Sequence, residues 1–329
     1  MSDFKTQFRR FVIPLCALLL LAVTALLPPA EKKQRLRIAP GMWPGAEALL
    51  LAHTQKKLPA NQFQMIELPW SSAVMHALGN GAVDVAVVTL DSVLRMREAG
   101  QQLRVLLVLD ESAGADAVIA QPEIKDVHGL RGKRVGVDVR GVGAYLLVNA
   151  LEEAKMTLED VQVVPLIQPE MEDAMQSGQV AAVVVSEPWL TRLRQNGLHR
   201  VYDSNQLNTP ILRLIVTTER TWQSSRGELT TLLQLHSSMT KLVRSGESFD
   251  GLQAILRREK LSAGEFAALL ARVRPLDASE NSAMLAGASP KLVSMAAQVE
   301  DQMIRHGLLR TRPVSADWID PMLFKEAFP

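Results

Sequence analysis

The sequence predicts an α/β protein of two similar lobes joined by two crossover strands, with a C-terminal helical tail packed on lobe one. Three observations carry that expectation. The stretch "ALGNGAVDVAVVTLDS" (77–92) returns as "AMQSGQVAAVVVSEPW" (174–189), ninety-seven residues further on. Each copy holds a continuous valine run, the pattern of a parallel strand buried on both faces. Strand-like and helix-like stretches alternate along the chain, as in α/β folds with right-handed crossovers.

The offset holds in other segments. It lays "RLRIAPG" (35–41) near "GKRVGVD" (132–138), "ALLLAH" (48–53) on "YLLVNA" (145–150) and "QMIEL" (64–68) on "VQVVP" (161–165). Each copy reads strand, glycine loop, helix, strand, helix, strand. The first strands, Leu36–Ala39 and Arg134–Val137, are short and tend to β-branched residues. The loops "PGMWPGAE" and "DVRGVGA" follow, then helices over 47–56 and 144–155 with one apolar side. A second strand and a short helix lead to Gly81 or Gly178, the residue type favoured just past a helix C-terminus. The third strands are Val83–Val88 and Val180–Val185.

Two further stretches, 103–121 and 198–218, each read as an apolar strand, a polar break and another strand. They are expected to link the lobes, with the chain leaving lobe one near Gly114 and returning near Asn208. Lobe one is then 35–114 plus 209–329, and lobe two is 115–208. From Glu219 onward amphipathic helices dominate, and Ser262 before Glu265 is a capping-box signature.

Residues 1–34 read as a signal peptide or signal anchor. Lys5, Arg9 and Arg10 precede an apolar run, Phe11–Leu27, that "LPPAEKK" stops. The run suits a secretory signal and is just long enough to span a bilayer uncleaved. Either way the rest of the chain is expected in the periplasm, free or tethered to the inner membrane.

Composition narrows the function. A formal net charge of +1 supplies no broad field for nucleic acid, so specificity must come from a local site. The single Cys16 lies in the apolar N-terminus, leaving no disulfide, thiol nucleophile or thiol metal site beyond it. The six histidines lack metal-ligand spacing, and no phosphate-binding or nucleophile-elbow motif opens a helix. No cofactor, catalytic residue or metal site is expected.

Open α/β sheets bind ligands beyond the carboxyl ends of their strands. Two lobes would turn those ends toward one cleft. The rim would be 41–46, 69–72, 89–92, 138–145, 166–169 and 186–189, with Ser112–Asp116 as floor and hinge. Helix starts there offer free N–H groups to anionic oxygens. Gly45 and Gly143 keep two of those starts small, and Ser71, Ser72, Thr89 and Ser112 add hydroxyls. Trp43, Tyr145 and Trp189 present flat surfaces, and Asp91, Asp116 and Glu187 are acceptors suited to an amine or amide N–H. Each has a plainer reading: tryptophans as inter-lobe core, Ser71 and Thr89 as helix caps, Glu187 as first-turn charge, Asp116 as a hinge tie.

"SAGADAVIA", "IKDVHGLRGKRVGV", "LLVNALEEAKMTLEDVQVVPL" and "AMQSGQVAAVVVSEPW" resemble ABC-transporter substrate-binding proteins of the nitrate, sulfonate and taurine type, a group similar to the thiamine-pyrimidine-precursor proteins. The resemblance implies two Rossmann-like lobes in a periplasmic-binding-protein-like fold that closes at a hinge. It implies ligand contact at Trp43, Ser71, Thr89, Ser112, Asp116 and Glu187. The expected ligand is a small polar molecule: a sulfonate, a nitrate-like anion, an amine or a pyrimidine. The expected partners are an inner-membrane ABC permease and its ATPase, and the expected state is a monomer. The alternatives are a membrane-anchored sensor or accessory protein on the same fold, and an enzyme of pyrimidine-precursor type, whose cysteine-rich iron site has no counterpart after Cys16. The loop "DVRGVGAYLL" departs from the Ser-rich form common in the family.

Overall fold

A computed structural model describes residues 34–68, 70–244, 251–287, 290–313, 318–319 and 321–328. The expected signal or anchor, with Cys16, therefore lies outside the described residues, Gln34 apart. The chain first lays down β1 (Leu36–Ala39), α1 (Glu47–Thr54), β2 (Phe63–Met65), α2 (Ser71–Gly79), β3 (Val85–Thr89), α3 (Leu90–Glu98) and β4 (Leu103–Ser112). It continues through β5 (Asp116–Ala120), β6 (Arg134–Val137), α4 (Val142–Glu153), β7 (Gln162–Pro165), α5 (Gln168–Gln176), β8 (Ala182–Ser186), α6 (Trp189–Gln195) and β9 (His199–Asp203). It ends with β10 (Leu212–Thr218), α7 (Glu219–Ser224), α8 (Arg226–Arg244), α9 (Leu252–Glu259), α10 (Ala263–Leu270), β11 (Val273–Pro275), α11 (Ala278–Leu285), α12 (Lys291–Arg305) and α13 (Pro321–Ala327).

Two mixed sheets result, ordered β11-β4-β10-β3-β1-β2 and β9-β5-β8-β6-β7. Apart from β11, they match strand for strand. In each, three parallel strands from the repeat meet an antiparallel strand brought back from the other sheet. Register matches too: Arg213 stands opposite Thr89 in the first sheet, and Asp116 opposite Ser186 in the second. Strands β3 and β8 are buried along their whole length, as continuous valine runs require.

The valine runs enter their sheets later than expected, at Val85 and Ala182. The amides of Val83 and Val180 instead bond back to the carbonyls of Ala77 and Ala174, at 3.1 and 3.2 Å, closing the preceding helices. Gly81 and Gly178 turn that corner with φ of 75° and 68°, in the left-handed region that glycine adopts without a Cβ clash.

The chain changes sheets between Ser112 and Asp116 and again between Asp203 and Leu212. The two links are tied together. The Ser112 and Ser204 hydroxyls lie 2.7 Å apart, and the Gly114 amide donates to Ser204 Oγ at 2.9 Å. Gly114 has φ of 88°, and a Cβ there would sit 2.6 Å from Asn205 Nδ2.

The tail packs on the first lobe, where β11 extends the sheet and Asn281 covers the edge of β4. Asn281 Oδ1 accepts from the Val108 amide at 2.7 Å, and its Nδ2 donates to the Val108 carbonyl at 2.9 Å. The tail also reaches the second lobe. Tyr145 of α4 donates to Gln302 of α12, and Glu152 meets Arg305 and His306 at 2.9 and 3.0 Å. Among the described residues no helix is long and apolar enough to cross a membrane.

Candidate functional site

The carboxyl ends of β1, β3, β6 and β8 face one cleft, and the loops after them line it. A cavity of about 40 Å³ there is bounded by the loop 40–43, Trp70, Ser71, Val74, the end of β3, Gln168, Ser186, Trp189 and Arg213. A second, of about 10 Å³, lies beside it against Asp116, Asp138 and the 141–143 turn. Ser71, Gln168 and Ser186 border both. The smaller holds no more than one water and the larger a few.

Three helix starts at the rim lack a side-chain hydrogen bond from the capping residue: α2 behind Trp70, α3 behind Thr89 and α4 behind Gly141. The amides of Ala73 and Ala144 bond back to the carbonyls of Trp70 and Gly141 at 3.1 and 3.3 Å, and no capping side chain covers the earlier first-turn N–H groups, which suit an anionic oxygen. Around them stand Trp43, Trp70 and Trp189, a flat apolar surface for an organic tail.

Arg213 sits at the centre. Its guanidinium makes a bidentate pair with Asp116 at 2.9–3.1 Å, from the first sheet to the second. The Trp43 ring stacks on it with its centroid 3.1 Å from Cζ. Ser186 donates to Asp116, and Gln168 Oε1 accepts the Ser186 amide at 3.0 Å. The ring N–H of Trp43 donates to Asp110 Oδ2 at 2.6 Å. Asp110 faces Arg213 across the β4–β10 ladder, so both side chains leave the same side of the sheet. Burial pushes the Asp110 carboxyl up to about 7 although Arg213 and Trp43 pull it down. Burial likewise raises Asp91, against the pull of Arg95 and Thr89.

Of the residues named from sequence, Trp43, Ser71, Thr89 and Trp189 border the larger cavity, and Ser71, Asp116 and Gly143 the smaller. Gly45 lies one layer behind: a Cβ on it would be 1.9 Å from Asp110 Oδ2. Ser72 and Asp91 also stand off the cavities, and the Ser112 hydroxyl is engaged by Ser204 of the returning link. Tyr145 is buried against α12 rather than open to the cleft. Glu187 is fully buried, accepts the Thr191 amide and hydroxyl at 3.1 Å each, and faces Arg272 of the tail at 3.3 Å. Burial raises its carboxyl, opposed by Arg272 and Thr191. Sequence reasoning missed Arg213 and Asp110. The repeat held a signal for the first, because Arg213 lies ninety-seven residues after Asp116, the offset that joins Thr89 to Ser186.

Away from the cleft, a cavity of about 380 Å³ lies between α8, α11 and α13. His236 borders it, buried and with Nδ1 unpartnered among the described residues; burial pulls its ring down to about 4.

Two sheets joined by paired links around a cleft of helix N-termini define the fold of the periplasmic binding proteins. The chain belongs to the NMT1/THI5-like family, whose profile matches residues 64–237. It is 26% identical over 207 residues, 60% of its length, to an Escherichia coli K12 protein named for binding aliphatic sulfonates. It spans only 64% of that relative's length. Among solved structures it resembles the alkanesulfonate-binding protein SsuA of Xanthomonas axonopodis pv. citri bound to MOPS, at 18% identity and a TM-score of 0.70 over 91% of this chain and 99% of that one. The desulfurization enzyme DszB shares the fold, at 15% identity and a TM-score of 0.61 over 89% of this chain and 98% of that one.

Proposed function

We propose that the protein is a solute-binding component of an ABC importer that captures a small organic anion of the sulfonate class between its lobes. In this reading it works in the periplasm and hands the anion to an inner-membrane permease and its ATPase. The observation that carries the reading is the meeting of uncapped helix starts, Arg213 and three tryptophans on one cleft. The helix starts and the guanidinium suit an anionic head, and the indoles suit an organic tail. The likeness to relatives named for sulfonate binding points the same way. Ligand contact at Trp43, Ser71, Thr89, Asp116, Gly143 and Trp189 belongs to the proposal.

Closure follows from differential affinity. A ligand that touches both rims stabilises the arrangement in which both rims reach it, and a permease would read that arrangement. The test is thermal shift and calorimetry with 1-octanesulfonate, taurine, nitrate, an alkylamine and a pyrimidine. Stabilisation by sulfonates, lost in Arg213→Ala, is the expected result. Stabilisation by the amine or the pyrimidine alone would replace the ligand class, and stabilisation by none would overturn the reading.

A further inference from the structure

We propose that capture of an anion beside Arg213 is coupled to uptake of one proton by Asp110. The inference rests on the anion reading above and adds a regulation to the same site. Around the single guanidinium of Arg213 stand three buried carboxylates, Asp91, Asp110 and Asp116, exposed by 3%, 0% and 1%. Arg95 acts on Asp91, so the cluster already holds more acids than bases. A further anion against Arg213 adds negative charge where water cannot screen it. Protonating a carboxylate is the nearest relief.

The hydrogen bonding selects which one. Asp116 is held by both guanidinium nitrogens and by the Ser186 hydroxyl. Asp110 accepts only the Trp43 N–H, and its Oδ1 is buried with no hydrogen-bond partner among the described residues. The charged and polar groups that face it are Arg213 from β10, Asp116 from β5 and Trp43 from the loop after β1. The neighbouring Glu111 and Arg274 of β4 and β11 are paired with each other at 2.6 Å. Asp91 also has an unpartnered Oδ2 and is raised by burial, but it has two cations beside it, Arg95 and Arg213, where Asp110 has Arg213 alone. An anion on Arg213 weakens what keeps Asp110 ionised, and the proton comes from solvent as the ligand enters. The carboxyl already titrates near neutrality, so the uptake falls in an accessible range.

The experiment is calorimetry of the full chain with 1-octanesulfonate in Tris, triethanolamine and imidazole, whose ionisation heats differ. Expected is an uptake of about one-half to one proton per sulfonate, with Kd rising up to about tenfold per pH unit above pH 7. Asp110→Asn should abolish the uptake, whereas Asp91→Asn should keep it. Infrared difference spectra of the unaltered protein should gain a protonated-carboxyl band on ligand addition, which keeps the proposal testable if Asp110→Asn does not fold. Tight binding with no proton uptake, or uptake that persists in Asp110→Asn, overturns the coupling and leaves the anion reading standing. No binding of the sulfonate at all overturns both.

Discussion

Asp116 and Arg213 occupy the same position in the two halves of the repeat and bind each other across the cleft at 2.9–3.1 Å. Each stands on the antiparallel strand of its sheet, opposite Ser186 and Thr89 respectively. The repeat thus sets two equivalent positions face to face, and opposite charges at them join the halves.

Breaking that pair removes the bidentate partner of Arg213, while Asp110 and Asp91 still face the guanidinium. Asp116→Ala is expected to lower stability by about 1.5–3 kcal/mol. Adding Arg213→Met should then cost less than Arg213→Met does alone, because the bonds between the two side chains are already lost. Urea denaturation of both variants and of Arg213→Met alone closes the cycle. Additive losses would mean that the pair does not couple.

Gly45→Ala forces a collision behind the cleft. The new Cβ would lie 1.9 Å from Asp110 Oδ2 and 2.6 Å from Trp43 Nε1. The expected cost is about 1–3 kcal/mol, with a changed near-ultraviolet dichroism as the Trp43–Asp110 bond is displaced. An unchanged melting temperature would count against the packing described.

Asn281→Ala should cost about 2–3 kcal/mol, because it strips partners from both the amide and the carbonyl of Val108. Faster hydrogen exchange at the Val108 amide is the local readout. Protection equal to that of the unaltered protein would show that water replaces the side chain without loss.

His236 predicts an acid-side weakness. Its ring, ordinarily near 6.5, is held at about 4 by burial. Between those values the unfolded chain binds the proton and the folded chain does not. Stability present above pH 6.5 is therefore lost as pH falls through this window, by up to about 3 kcal/mol. The difference between the unaltered protein and His236→Leu, followed by denaturation from pH 7 to 4, isolates the contribution. Parallel curves would refute it.

The fold was legible because the repeat keeps one offset and its third strands are valine runs, as strands buried on both faces require, although each of them pairs an antiparallel strand on one side. The residues that border the cavities were legible where a strand ends and a helix begins, as at Ser71, Thr89 and Gly143. Tyr145 and Glu187 misled for a physical reason. Both follow a rim strand, yet α12 and Arg272, far along the chain, draw them inward. Arg213 lay in an antiparallel strand that returns from the other sheet, outside the rule that looks only past parallel strand ends. β11 is three residues long and too short to announce itself by alternation.

The hydroxyl of Ser204 accepts the Gly114 amide and meets Ser112, so the outgoing and returning spans are sewn to each other. Two separate ribbons would let the halves slide, twist and gape independently. Stitched side by side, they run between the sheets as one double band rather than two loose threads.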